Sequence, residues 1–290
     1  MKRRTFIQSF ALIPAVSHAM SIIKLSETLP NTEPMPVLFL GHGSPMNAIE
    51  DTEFSRGWKD AASRIPKPRA ILCVSAHWET KGTFVTAMDR PKTIHDFGGF
   101  PKELYEVQYP APGDPALAQE TKNEVTSSVV GLDNEWGLDH GCWSVVKHMY
   151  PAADVPVIQL SLDHSQTPQS HYDLGKELSS LRRKGVLIIG SGNIVHNLRM
   201  IDWQKEHQGY DWALEVNTKV KKLISEGDHH SLIKYKELGK EFHLSVPTAE
   251  HYLPLLYILA IKTEKDEISF FNDACTMGSL SMTCVKLASS

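Results

Sequence analysis

Histidine is the side chain best suited to bind a metal ion or move a proton near neutral pH. Three of the fourteen histidines in this chain occupy the same kind of position. His42 follows the apolar run Val37-Leu38-Phe39-Leu40 and stands between Gly41 and Gly43, which free the backbone and let a ligand approach closely. His77 follows Ala70-Ile71-Leu72-Cys73-Val74-Ser75 within Ser75-Ala76-His77-Trp78. His196 lies shortly after Val186-Leu187-Ile188-Ile189, within Gly192-Asn193-Ile194-Val195-His196-Asn197. One histidine after a strand is more often packed or hydrogen-bonded than a ligand. Three in matching positions point to a shared metal site. His251 precedes the apolar stretch at residues 253–260, with Thr248 as a candidate helix cap. Spacing alone leaves it equally able to face a site or to sit in solvent.

The elements that must position these residues follow from the same runs. Short apolar segments read as buried strands at residues 37–40, 70–75 and 186–189, the first and last of them closed by glycine. Residues 155–160 make a further strand, with Pro156 placing it at an edge or at its own start. Asp114-Pro115 is a helix-start pair leading into residues 116–125. Leu174, Leu178 and Leu181 recur at helical spacing, as do Trp212, Val216, Val220 and Leu223. Residues 279–287 alternate through Leu280, Met282 and Cys284, as a last strand with one solvated face would. Strands alternating with helices predict one α/β domain with a largely parallel central sheet flanked by helices. In such a sheet the carboxyl ends of the strands share an edge where ligands bind. Histidines distant in sequence then converge.

Composition narrows the function classes. With 41% hydrophobic and 22% charged residues, the 290-residue chain is that of an ordinary globular protein. A net charge of −4 argues against nucleic acid as a partner, and no apolar run is long enough to span a membrane. Four dispersed cysteines without a CxxC pair exclude a cysteine zinc site and make a disulfide framework improbable. Lys2-Arg3-Arg4 followed by an apolar run and Ser17-His18-Ala19 has the form of a twin-arginine export signal over residues 1–19. A linker over residues 20–35 and a catalytic domain over residues 36–290 follow, with the periplasm as expected location. The alternative is a plain basic terminus on a cytoplasmic protein.

Six segments carry a resemblance: Phe39-Leu40-Gly41-His42-Gly43-Ser44-Pro45, Ser75-Ala76-His77-Trp78, Thr93-Ile94-His95-Asp96-Phe97-Gly98-Gly99-Phe100-Pro101, Asp139-His140-Gly141, Gly192-Asn193-Ile194-Val195-His196-Asn197 and Glu250-His251-Tyr252-Leu253-Pro254-Leu255. In order and register, the chain resembles the 4,5-DOPA extradiol dioxygenase family. That family belongs to the class III extradiol enzymes, together with the catalytic subunit of protocatechuate 4,5-dioxygenase. The resemblance implies a metal-dependent oxidoreductase that inserts O2 beside the diol of a catechol such as DOPA, giving a semialdehyde. It implies metal ligands at His42, His77 and His251. It leaves His196 open between a fourth ligand and an acid/base, and puts His140 in the substrate pocket as a catalytic histidine. His95 either lines that pocket or bonds to backbone.

Catechol and O2 are then the partners, and the chain is expected as a monomer or small homo-oligomer. Ring cleavage requires three ligands on one face and open positions opposite, the usual arrangement for Fe(II). Four imidazoles closing on one ion would instead suit Zn2+, which has no redox change. The expectation is zinc in the isolated protein and Fe2+ for turnover. Two competing readings are a zinc hydrolase with Glu250 as base and a non-catalytic zinc-binding protein, for which His229-His230 would be surplus donors. Trp78, Phe97, Phe100, Tyr105 and Trp143 lie near the motifs and serve either to stack on a planar substrate or as plain core. Cys142 is expected to be a packed thiol.

Overall fold

The computed structural model describes residues 33–289. The expected export signal and all but the end of the expected linker lie outside them. At that end Met35 is already buried, and its N–H donates to Arg182 O at 3.0 Å.

The apolar runs become strands β1 (Val37–Gly41), β2 (Ala70–Thr80), β3 (Thr83–Thr86), β4 (Val130–Asp133), β5 (Val157–Asp163), β6 (Val186–Gly192), β7 (Asp266–Phe271), β8 (Cys275–Thr276), β9 (Leu280–Ser281) and β10 (Cys284–Ser289). Eight of them form one sheet in the order β4-β3-β5-β2-β6-β1-β10-β7, while β8 and β9 pair separately. The centre, β5-β2-β6-β1, is parallel throughout. Antiparallel pairs join β3 to β5, β1 to β10 and β10 to β7. Pro156 stands just before β5, at the start of an interior strand and not at an edge.

Helices α1 (Glu53–Ser63), α2 (Pro115–Glu124), α3 (His140–Met149), α4 (Pro168–Glu177), α5 (Asp211–Glu226) and α6 (Leu253–Ala260) flank this sheet. Strand side chains alternate between two cores, as the pleat requires. Val37, Phe39, Leu72, Val74 and Ile188 pack with Val216, Leu255 and Ile258 on one face. Leu38, Leu40, Ile71, Cys73 and Ile189 pack with Trp58, Trp143 and Val146 on the other. Burying each such side chain contributes about 1.5–3 kcal/mol. Among the described residues no helix is long and apolar enough to cross a membrane.

Four local expectations shift. The tail read as one strand over residues 279–287 is two pieces. β9 joins the small hairpin, and β10 buries Val285 and Leu287 with Lys286 and Ala288 on its partly exposed side. In α5 the buried stripe is Ala213, Val216, Val220 and Ile224, with Trp212 and Leu223 packed only at its margin. The Leu174–Leu181 repeat leaves α-helix at Leu178 and continues as a 3-10 turn. Thr248 does not cap α6, because Tyr252 occupies the cap position and the helix opens at Leu253-Pro254. His251 therefore lies in the turn before the helix, not in its first turn.

Candidate metal centre

Five histidines meet at the carboxyl edge of the parallel strands. His42 leaves the end of β1, and its N–H donates to Gly192 O of the neighbouring strand at 3.3 Å. His77 lies inside β2, which runs farther than its apolar run suggests. Between Val74 and Glu79 this strand slips against β5, whose partners Leu160 and Leu162 are only two apart. Such irregularities re-aim side chains next to active sites. His140 opens α3, which Asp139 caps through Cys142 N at 3.0 Å. His196 follows β6, with its N–H on Ser245 O. His251 is brought in by its carbonyl, which accepts Asn193 N–H at 2.8 Å.

The rings of His42, His77 and His251 make a nearly equilateral triangle, with centroids 5.0, 5.2 and 5.0 Å apart. Each ring has a partner for Nδ1 on its outer side. His42 Nδ1 is 3.0 Å from Ser191 Oγ, whose own proton goes to Gly141 O at 2.5 Å. His77 Nδ1 is 3.3 Å from Asp96 Oδ2, and His251 Nδ1 is 3.1 Å from Glu250 Oε1. All three partners can act as acceptors, which puts the protons on Nδ1 and leaves the lone pairs on Nε2. His42 Nε2 and His77 Nε2 then stand 3.1 Å apart, and His251 Nε2 is buried without a partner. Facing lone pairs in a buried site repel unless a cation lies between them. Anchored imidazoles with free inner nitrogens are the donor set of a divalent metal site. These residues fit the metal that the sequence led us to expect.

Proximity also places His140 close by. Ligand atoms of His42, His77 and His140 lie within 4.8 Å of one another, as do those of His196, Glu250 and His251. His196 stacks face to face on His251, with centroids 3.4 Å apart and planes inclined by 8°. Burial holds His42 and His251 well below the usual histidine value, with neighbouring imidazoles adding to the effect. Burial and His140 bring His77 down to about 3 against the opposing pull of Asp96. Burial, with His140, brings His196 to about 4. These four rings are uncharged at neutral pH, the form a metal requires.

His95 donates its Nε2–H to Val107 O at 2.9 Å, the backbone-bonded alternative, and still packs edge-on against Phe97. Phe97 in turn lies 5.4 Å from His140, with Tyr105 5.1 Å away on its other side. Trp143 is fully buried and Trp78 stacks on Trp136 at 5.7 Å, which makes both of them core. Cys142 is a buried thiol, pushed up by burial and by Cys73. His229 bonds Tyr172 OH at 2.7 Å and is not among the clustered donors, so the His229-His230 pair does not enlarge the site.

Sequence reasoning gave no role to Asp96 or Ser191. Asp96 is the residue after His95, and its place in the motif was the available signal. Glu250, weighed as a hydrolytic base, holds the outer nitrogen of His251 and Thr248 Oγ1 instead. That role occupies Glu250 Oε1 and weakens the hydrolase reading.

Residues 36–274 match the model of the catalytic LigB subunit of aromatic ring-opening dioxygenase. The chain is 48% identical over 257 residues to a protein of Escherichia coli (strain K12) named 4,5-DOPA dioxygenase extradiol, covering 87% of this chain and 94% of that one. A protein of the same name from Beta vulgaris is 34% identical over 258 residues, covering 87% and 96%. The crystal structure of an uncharacterized Escherichia coli K12 protein superposes with a TM-score of 0.77 at 42% identity, covering 88% of this chain and all of that one. The expected α/β fold and the expected extradiol class of oxidoreductase are borne out. With the match spanning nearly all of the described domain, the chain belongs to the family of catalytic LigB subunits of aromatic ring-opening dioxygenases.

Proposed function

We propose that this chain opens the ring of a catechol such as DOPA beside its diol, using one divalent metal held by His42, His77 and His251. The observation that carries the ligand set is the triangle of three rings, each with Nδ1 anchored and Nε2 turned inward. The names of the relatives support the substrate class. When bound, the metal supplies Lewis-acid polarisation of the diol and, as Fe2+, the one-electron chemistry that activates dioxygen. Three imidazoles on one face would leave coordination positions open for the two substrates. His140, with its ring 3.9 Å from that of His77, takes the second hydroxyl proton and later returns one to the product. His196, stacked on the back of His251, is the second proton carrier and not a fourth ligand. Phe97 and Tyr105 wall the planar substrate, with His95 behind Phe97 as part of the substrate pocket.

Zinc is the ion expected in the isolated protein and Fe2+ the ion of turnover. Apoprotein reconstituted separately with each metal should take up oxygen on catechols only with Fe2+. Turnover with zinc alone refutes the iron assignment. His251→Ala should lose metal, whereas His140→Ala and His196→Ala should keep it and lose turnover. Metal lost from His140→Ala but retained by His251→Ala would instead assign the set His42, His77 and His140. Export by the twin-arginine route to the periplasm is the companion proposal. Mass spectrometry of the mature N-terminus from fractionated cells tests it, and an intact Met1 in the cytosol refutes it.

A further inference from the structure

The loop that contains Asp96 has no regular structure of its own, yet it is tied down on both sides. Ile94 N donates to Leu138 O at 2.7 Å, Trp143 Nε1 to Ile94 O at 2.8 Å, and Tyr109 N to Thr93 Oγ1 at 2.9 Å. His95 adds its bond to Val107 O. Between these anchors the Asp96 carboxylate accepts one backbone hydrogen bond and lies close to two ring nitrogens carried by different elements. Its Oδ1 accepts His140 N–H at 2.9 Å. Its Oδ2 stands 3.0 Å from His140 Nδ1 and 3.3 Å from His77 Nδ1. Among the described residues no lysine or arginine forms an ion pair with it.

We infer that Asp96 is a positioning residue whose single carboxylate sets the tautomers of both His77 and His140, tying metal retention to proton transfer. The inference rests on the ligand reading above. A neutral imidazole has one N–H, and a carboxylate can only accept. Facing Asp96, both rings keep their proton on Nδ1 and turn the Nε2 lone pair into the site. On His77 that lone pair serves the ion. On His140 it serves as the base. One residue thereby prepares two unlike functions carried by β2 and α3.

Asp96→Asn is the discriminating change because it is isosteric and loses only the second acceptor. If the amide oxygen keeps the His140 N–H, the amide NH2 faces the two Nδ1 atoms. At least one ring must then accept at Nδ1 and hold its proton on Nε2, blocking the lone pair the site uses. If the amide is turned round, its NH2 faces the His140 N–H and the capping contact is lost.

The first test is 15N-histidine NMR of the metal-free protein at about pH 8, where imidazoles are neutral. His77→Gln and His140→Gln supply the assignments. Both rings should be Nδ1–H in the wild type, and at least one should become Nε2–H in Asp96→Asn. Zinc affinity, by competition with a chromophoric chelator, should fall roughly 10–100-fold in Asp96→Asn. It should change far less in His140→Gln, which leaves Asp96 and the three proposed ligands in place. A wild-type spectrum with either ring as Nε2–H overturns the inference even if the variant fails to fold. So does an Asp96→Asn protein that keeps both tautomers and the parental zinc affinity. If the wild type binds no zinc, or His251→Ala binds it as tightly, the ligand reading fails instead. The tautomer measurement, made without metal, still judges Asp96.

Discussion

Gly192, the last residue of β6, touches none of the candidate ligands with a side chain, yet its replacement by alanine should disable the metal centre. A Cβ built there would stand 2.2 Å from His251 O and 3.1 Å from its carbonyl carbon. Real contacts respect about 3.0 Å, so the His251 carbonyl must retreat by roughly 0.8 Å. That same carbonyl accepts Asn193 N–H at 2.8 Å, and the strand beneath is paired to β1, so neither side yields freely. Overpacking of this kind costs about 1–3 kcal/mol. A ligand must hold its place within about 0.5 Å. Gly192→Ala should therefore lower zinc affinity about 10–100-fold, the usual effect of disturbing a ligand's support, while leaving the protein folded. The assay is chelator competition on protein verified by circular dichroism. Leu181→Ala, in the buried 3-10 turn after α4, serves as a control of comparable instability with its metal affinity intact. A folded Gly192→Ala protein that binds zinc within about twofold of the parent, well inside the effect expected of a displaced ligand, would refute the reasoning.

Other measurements test other parts of the molecule. Burial depresses His42, His77, His171, His196 and His251, so the native state binds fewer protons than the unfolded chain below the ordinary histidine value near 6.5. Metal-free protein should hence lose stability as pH falls from about 6.5 toward about 4, each such histidine contributing a slope of up to about 1.4 kcal/mol per pH unit. A melting temperature of apoprotein that stays flat across that range would contradict it. Arg182 and Asp266 form a buried two-point ion pair at 2.6 and 2.7 Å. Removing the guanidinium in Arg182→Met should cost about 3–5 kcal/mol, read by urea unfolding. Because Asp266 is held down at about 2 by its bonds to Arg182, against the opposing effect of burial, this contribution is complete above the ordinary carboxylate value near 3.8 and is lost progressively as pH falls from there to about 2. The four cysteines are buried and free, so Ellman's reagent should modify none in the native protein and all four in denaturant. Rapid native labelling would show that the cores open.

Much of this molecule was legible in order along the chain. Apolar runs marked β1, β2 and β6, because a strand buried on both faces needs continuous apolar residues, and glycine closed the first and last of them. The Asp114-Pro115 pair marked the start of α2, because both residues act within one turn. The motifs around His42, His77, His140, His196 and His251 identified the family and its chemistry. Tertiary structure decided what depends on neighbours remote in sequence. The slip of β2 against β5 set the aim of His77. The Asn193–His251 bond moved His251 into a turn and beside His42. Tertiary packing laid the His196 ring face to face on His251. Asp96 became the common acceptor for two rings from different elements. Local sequence carries backbone preference and burial pattern, since both act over a few residues. The direction of an imidazole lone pair depends on which acceptor the fold brings to its other nitrogen.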